Sequence, residues 1–482
     1  MKVNCLSFAF AAVLIIAPFI QPAVGQGIDL FDNTRVHQVK FSSLNPADWD
    51  SIARRYTRKL YTPLKVEIDG TVVDSTGVRI KGNGFGEYAY SDKKQPYRLK
   101  FGQFRTGQKY DGLKQVNLYS HNLIEAFTGF NISTTYGMVA PRTAFAELWF
   151  DGIFIGLYLL VDEVEKVFLD WNFGNNNGNL FKADAKGANL SWLGTDPNEY
   201  NCYQLATNEK ENDRSDLIAF LNSVYNTGNS ALTDSIKLHF NLESFLKSLA
   251  IEVFICKTDA FYDSGHNYFL YHNTASRQFE YIPWDLDASM ASYNRFDVNL
   301  YNGYTSVENP MINRILKHPG LKQLYYSLSC EFIHSQAADR DRISTLLDNA
   351  ENLLRNRHLT LNLPNEKTIQ DVKTFFANRE TDLEKALTRY GYRCDGTMGT
   401  DDFSNDPQIS IFPNPASGQV TISLPGTASA EIRMVSITGL TVYRGTSSSR
   451  SCRIGLEGLA PGIYLVRVWS GVNVVTRKVY VE

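Results

Sequence analysis

Apolar and polar residues alternate in short runs through the first third of the chain, the period-two pattern of half-buried strands. Runs of this kind cover 36–41, 64–68, 77–81, 97–101 and 146–150. The stretch 148–160 carries Asp151-Gly152 at its centre, a dipeptide that favours a type I′ reversal and so predicts a hairpin. A second hairpin is predicted from His266-Asn267-Tyr268-Phe269-Leu270-Tyr271 to Phe279-Glu280-Tyr281-Ile282, with apolar alternation at Tyr268, Leu270, Phe279 and Tyr281. Helical periodicity dominates elsewhere, over 216–225, 242–254, 321–332, 343–354 and 369–387. Asn309-Pro310 reads as a cap followed by proline at the first helical position, with Ile312, Ile315 and Leu316 at helical spacing behind it. Strands first and helices later predict one large α+β domain over 28–393, of two lobes with a cleft between them.

The pattern changes past residue 393. Residues 394–407 are rich in Asp, Gly, Ser, Thr and Asn and read as a linker. Over 408–482, short alternating strands (420–424, 431–435, 463–468 and 474–481) are separated by Gly, Pro and Ser turns, the rhythm of a small β-sandwich. At the other end, Lys2, an apolar run over 6–20 and the small residues Ala23-Val24-Gly25 predict a signal peptide over 1–25, cleaved before Gln26. Cys5 precedes the apolar run, so it is not placed to be a lipidated mature N-terminus. No later segment is an uninterrupted apolar span, so no transmembrane segment is expected in the mature chain.

Composition narrows the functional classes. A hydrophobic content of 43% and a charged content of 21% are ordinary for a globular chain of 482 residues. The formal net charge of -3 gives no electrostatic case for nucleic acid or an anionic membrane surface. Cys202, Cys256, Cys330, Cys394 and Cys452 are scattered with no Cys-x-x-Cys spacing, which does not support zinc. They allow one or two disulfides in an exported chain, with the pairing open.

The second hairpin runs into Pro283-Trp284-Asp285-Leu286-Asp287. Two carboxylates where a strand stops can hold a hard cation such as Mg2+, which takes oxygen ligands and bridges to substrate phosphates. Paired aspartates after a strand also commonly cap helices or form Asx-turns, so spacing alone leaves both readings open. Gly82-Asn83-Gly84-Phe85-Gly86 lacks the Gly-Lys-Ser/Thr ending of a phosphate loop. His266 and His272 flank the hairpin without a second clustered ligand and read as structural.

Two resemblances sharpen this. Phe412-Pro413-Asn414-Pro415, Thr438-Gly439, Leu459-Ala460-Pro461-Gly462-Ile463-Tyr464 and Lys478-Val479 resemble the type A sorting domain of the type IX (Por) secretion system. That likeness implies the type IX machinery as a partner and a secreted or cell-surface location. The large domain resembles the CotH kinase family of atypical secreted or spore-coat protein kinases. The matching pieces are Val78-Arg79-Ile80-Lys81-Gly82-Asn83, Gln95-Pro96-Tyr97-Arg98-Leu99-Lys100-Phe101 and Asp151-Gly152 with Gly156-Leu157-Tyr158 and Glu163. Gly178-Asn179-Leu180-Phe181-Lys182, His266-Asn267-Tyr268 and Pro283-Trp284-Asp285-Leu286-Asp287 complete the set.

This second resemblance implies a protein-kinase-like fold with a β-rich N-lobe and a helical C-lobe. It implies ATP with Mg2+ or Mn2+, and a serine or threonine of an extracytoplasmic protein as phosphate acceptor. Asp285 takes the role of the metal-binding aspartate, Asp287 that of a second ligand or orienter, and Asn267 that of a second-metal or positioning ligand. The family has a required aspartate just before the His-Asn-Tyr strand, for which Asp259 and Asp263 are both offered. Arg79 and Lys81, and likewise Arg98 and Lys100, alternate on their strands, so each pair shares a face. One such face is expected to meet phosphates, with Arg98 or Lys100 as the nucleotide cation; the bland alternative is a solvated strand edge. Glu163 is expected to pair with a basic side chain across the cleft or to cap the helix through 168, and Lys182 joins the cofactor-binding set. After Val116-Asn117-Leu118, family members commonly carry an Asp and then an Arg, where this chain has Ser120-His121-Asn122-Leu123-Ile124-Glu125-Ala126. That departure keeps a catalytically silent surface, scaffold or adhesion protein in play beside the enzyme.

Overall fold

The computed structural model describes residues 26–82, 93–183, 187–263, 265–291, 309–357, 359, 367–394, 410–424, 430–436, 441–470 and 473–482. The expected signal peptide and all of the expected linker after Cys394 lie outside the described residues.

Seven strands build the N-terminal part: β1 (His37–Ser42), β2 (Thr62–Ile68), β3 (Thr71–Ile80), β4 (Tyr97–Lys100), β5 (Gln115–Tyr119), β6 (Thr143–Phe150) and β7 (Ile153–Asp162). They close into a barrel of order β1-β2-β3-β4-β5-β7-β6. Parallel pairing of β1 with β6 completes the ring, with His37 opposite Ala146 and Phe41 opposite Phe150. The alternation predicted strands, and the structure adds that their sheet has no free edge; the expected N-lobe is thus a closed barrel. Inward residues, among them Val39, Phe41, Val66, Leu99, Leu148 and Leu160, form one apolar cluster. Strands β5 to β7 are buried on their outer face too, where Tyr119, Phe145, Leu159 and Val161 join the core of the helical region. Near-continuous apolar sequence in β6 and β7 follows from this two-sided burial. Their turn is the expected reversal, with Asp151 and Gly152 both at positive φ (50° and 78°) between the paired Phe150 and Ile153.

Helix α1 (Asp48–Arg54) follows β1 and α2 (Leu123–Thr135) follows β5. Beyond α3 (Lys166–Phe173), a second sheet forms from β8 (Leu180–Ala183), β9 (Tyr203–Leu205), β10 (Tyr268–Asn273) and β11 (Gln278–Pro283), in the order β11-β10-β8-β9. The hairpin β10–β11 has the antiparallel register expected, Tyr268 opposite Pro283 and Leu270 opposite Tyr281. Around this sheet pack α4 (Ser215–Tyr225), α5 (Leu232–His239), α6 (Leu242–Phe254), α7 (Pro310–Leu316), α8 (Pro319–Ile333) and α9 (Arg340–Arg355). The Asn309 side chain caps α7 by accepting from the Ile312 amide. The single helix expected over 369–387 is two, α10 (Ile369–Phe376) and α11 (Arg379–Arg389). At the break, buried Arg379 donates from Nε to the Phe254 carbonyl (2.9 Å) and from Nη2 to the Val253 carbonyl (2.5 Å), both at the end of α6. Cys330 and Cys394 form a disulfide, while Cys202, Cys256 and Cys452 are free thiols.

Residues 410–482 contain two sheets. One joins β12 (Ser410–Phe412), β13 (Gln419–Ser423) and β16 (Ser451–Gly455); the other joins β14 (Ala430–Ser436), β15 (Thr441–Ser447), β17 (Gly462–Ser470) and β18 (Asn473–Val481). Val420, Ile422, Ile432, Met434, Val466 and Val479 belong to one shared apolar cluster. The α+β class read from the sequence stands. Among the described residues, no helix is long and apolar enough to cross a membrane.

Candidate active site

The barrel and the second sheet meet at strand ends. Lys81 lies one residue past β3, and Asp285 lies two residues past β11. Between them, Lys81 Nζ approaches Asp285 Oδ1 to 3.3 Å. Aromatic faces flank that ammonium: it sits 3.9 Å from the Tyr119 ring centroid and 4.9 Å from that of Trp284. Lys182, on β8, lies with its ammonium 5.9 Å from the Trp284 ring centroid and 5.8 Å from that of Phe269. A cation over an aromatic face is attracted by the ring's negative face, more strongly where water is excluded.

The electrostatics follow from this packing. Burial pulls the Lys81 ammonium below its usual range, against the raising effect of Asp285. Burial alone would raise the Asp285 carboxyl, but Lys81, then Tyr119 and Lys182, outweigh it and hold the group below the ordinary aspartate value. The buried Tyr119 hydroxyl faces Asp285 without closing a conventional hydrogen bond. Asp287 goes the other way: burial and the neighbouring Asp285 charge push it up to about 8. One carboxylate is matched by a lysine and the other is strained into its neutral form, the usual outcome for two acids in one site. Such a donor set fits a divalent cation. Mg2+ takes one or two carboxylates and completes its shell with water and phosphate oxygens. Among the described residues, no group of three His, Cys, Asp or Glu side chains forms a closed metal cage.

Backbone geometry marks the same place. Asp259, Asn267 and Asp285 all have left-handed φ, at 60°, 60° and 54°. Non-glycine residues enter this region rarely, Asn and Asp most readily, and such residues gather at functional sites. Asn267 is tied in on several sides. Its amide donates to the Ala183 carbonyl (2.9 Å), its carbonyl accepts from the Trp284 amide (3.2 Å), and its Nδ2 donates to the Asp259 carbonyl (3.1 Å). His266 Nε2 lies 3.2 Å from Asp259 Oδ2, and Asp263 Oδ2 accepts from the Asp259 amide at 3.3 Å.

The structure therefore brings Lys81, Lys182, Asp285 and Asp287 together, with Asn267 bridging to the Asp259 loop. Of the other basic candidates, Arg98 is near enough for its charge to act on Lys81, but its own ion pair lies elsewhere. Arg98 turns to Glu163 (2.8 Å), and both reach Asn117, which accepts from Arg98 Nε at 3.1 Å and donates to Glu163 Oε2 at 2.5 Å. Glu163 thus pairs within the barrel wall and caps no helix; the cap position of α3 is Glu165. Arg79 and Lys100 both lie by the Tyr61 ring, at 5.4 and 5.9 Å, displaced along their strands from Lys81. Lys100 is exposed. The lysine against Asp285 is Lys81, where Arg98 or Lys100 was expected as the nucleotide cation; strand alternation does not say which end of a face meets the acids. Asn83 to Gly86 of the glycine run lie outside the described residues. In the stretch after β5, buried Ser120 bonds to His121 Nδ1 (2.7 Å), and buried Glu125 pairs with Lys367 (3.1 Å).

Sequence reasoning missed Tyr119, Asn117 and Lys257. Lys257 is fully buried and donates to the carbonyls of Asn267 (3.0 Å) and Trp284 (2.9 Å). A faint signal existed: Glu252 and Lys257 are the only charges in the otherwise apolar run 248–257.

Comparison with known proteins adds two domain matches. Residues 78–380 match the family described as CotH kinase protein, and residues 410–482 match the secretion system C-terminal sorting domain. The inner spore coat protein H of Bacillus subtilis is 26% identical over 215 residues, 42% of this chain and 57% of that protein. The chain therefore spans just over half the length of that relative. A solved structure of PorZ, a bacterial surface component of the type-IX secretion system of Porphyromonas gingivalis, shows 21% identity over 18% of this chain and 13% of that one. Its TM-score of 0.15 carries no argument about fold.

Proposed function

The chain belongs to the CotH kinase protein family, and on that premise we propose that it is a secreted phosphotransferase. In this reading it moves the γ-phosphate of ATP, with Mg2+ or Mn2+, to a serine or threonine hydroxyl of an extracytoplasmic protein. The observation that carries the proposal is the meeting of Lys81 from the barrel with Asp285 and Asp287 from the second sheet. Phosphoryl transfer is mainly positioning and charge stabilisation, so it needs cations on the phosphates and carboxylates for a metal. Lys81 and Lys182 supply the first, and Asp285 and Asp287 the second. A bound divalent cation would neutralise charge on the transferring phosphoryl group.

The acceptor oxygen bonds to the γ-phosphorus as the bond to the β–γ bridging oxygen breaks, leaving ADP. Asp259 takes the hydroxyl proton. Its side chain is 45% exposed and anchored through His266, whereas Asp263 is spent in part on the Asp259 amide. Arg98, Glu163 and Asn117 brace the barrel wall behind the site. The sorting-domain match supports export through the type IX machinery to the cell surface or beyond.

One observation favours a second reading. Lys81 sits on Asp285, where a cation would bind. A catalytically silent surface or scaffold protein would keep the fold with its metal place filled by lysine. Incubation of the full mature chain with labelled ATP, Mn2+ and extracytoplasmic protein separates the two. Incorporation that disappears in Asp285→Ala supports transfer, and equal counts in both proteins point to the scaffold.

A further inference from the structure

We infer that Lys257 is a positioning residue for the Asp285 site: its buried ammonium clamps the ends of β10 and β11 and so sets the backbone of Asn267 and Asp285. The inference rests on the proposed function for its purpose, but its geometry stands apart from it. An ammonium has three donors. Two of them reach Asn267 O at 3.0 Å and Trp284 O at 2.9 Å, and Glu252 Oε1 lies 3.9 Å from the nitrogen. Both lysine and glutamate are buried, and Tyr281 donates to the same Glu252 oxygen at 2.9 Å.

The two clamped carbonyls are significant because of where they fall. Trp284 O belongs to the peptide plane that leads into Asp285, and Asn267 O to the plane that leaves Asn267. Fixing these planes fixes the left-handed turns at both residues, conformations that persist only when surrounding structure over-determines them. The segment around the lysine is joined to the acid loop on its far side as well. The Thr258 amide and hydroxyl both donate to Ala288 O (2.7 and 3.0 Å), and the Met290 amide donates to Ile255 O (2.6 Å). Asp285 and Asp287 thus stand on a loop held at both ends by residues 255–258. A site held to within a fraction of an ångström needs such support beneath it. Lysine suits the task because one compact charge can serve two carbonyls that diverge.

The test uses the full mature chain with Lys257→Met, and with the pair Glu252→Gln and Lys257→Met. Removing one partner of a buried pair leaves an uncompensated charge that can prevent folding; the double variant carries no such charge and keeps an acceptor for Tyr281. Hydrogen exchange is followed in peptides covering 266–270 and 284–287 and in peptides of the barrel, and Mn2+ affinity is measured in parallel. The clamp predicts exchange at least tenfold faster in those two peptides with the barrel unchanged. It also predicts a Kd for Mn2+ raised about tenfold or more, roughly 1.4 kcal/mol. Unchanged exchange in the double variant would overturn it, as would loosening spread evenly over the large domain. If the native chain binds no Mn2+, the metal reading fails, and the exchange comparison still decides the clamp.

Discussion

Replacing Asp287 by Asn should stabilise the metal-free protein at alkaline pH while removing whatever metal affinity the site has. In the fold, the Asp287 carboxyl is pushed up to about 8 by burial and the Asp285 charge, against an ordinary value of about 3.9 in an unfolded chain. A carboxyl raised in this way binds more protons folded than unfolded between those two values. Stability must therefore fall as pH rises from about 4 to about 8, and level off above. Asparagine mimics the neutral acid and does not titrate, so the variant escapes that loss. From about pH 5 to about pH 8 the upper bound is three pH units at 1.36 kcal/mol each, about 4 kcal/mol. Asp287 keeps partial solvent access, which screens the charge and brings the expected gain to about 1–2 kcal/mol. For a domain this large that is a rise of about 2–6 °C in melting temperature near pH 8, shrinking towards zero near pH 5. Thermal unfolding of native and variant chains in chelator, across that pH range, gives the comparison. A gain independent of pH, or a loss at alkaline pH, would refute the claim that two acids are confined together. A residue that costs stability where it stands is most simply understood as kept for function.

Three further outcomes follow from the packing. Gly178→Ala would place a Cβ 1.7 Å from the His272 carbonyl oxygen, forcing β8 and β10 apart; a loss of about 3 kcal/mol or more is expected in urea unfolding. Arg379→Met removes the donor to the Phe254 carbonyl and one of two donors to the Val253 carbonyl, which keeps the Cys256 amide at 3.0 Å. A buried acceptor left unpaired costs about 1–3 kcal/mol, so the midpoint should drop by the equivalent of about 1–3 kcal/mol. Reducing the Cys330–Cys394 disulfide, whose cysteines are 64 residues apart, should cost about 4 kcal/mol by loop closure, seen as a lower melting temperature under reductant.

Local rules carried much of the fold. Alternation and the Asp-Gly turn located β6–β7 and β10–β11, and Asn309-Pro310 marked the start of α7, because each depends on residues a few positions apart. Barrel closure was not legible, since the β1–β6 pairing is non-local and leaves no mark beyond ordinary strand alternation. The break between α10 and α11 was hidden because it depends on what Arg379 meets on α6. The pairing of Cys330 with Cys394 was one of several that spacing allowed.

For the site, the acids stood out where β11 ends. The expected cation was Arg98 or Lys100, whereas the lysine on Asp285 is Lys81; the choice depends on which strand end faces the second sheet, and alternation does not say. Lys257 drew no reading from the sequence and is buried beneath the site.

The central claim is that Lys81, Asp285 and Asp287 form a place for a metal-bound triphosphate. A crystal structure of the mature chain with Mn2+ and a non-hydrolysable ATP analogue, phased for manganese anomalous signal, tests it most directly. The account predicts a manganese peak at bonding distance from carboxylate oxygens of both aspartates, with Lys81 released from Asp285 onto a phosphate oxygen. An intact Lys81–Asp285 contact with no manganese beside it, in crystals soaked to saturation, would contradict it.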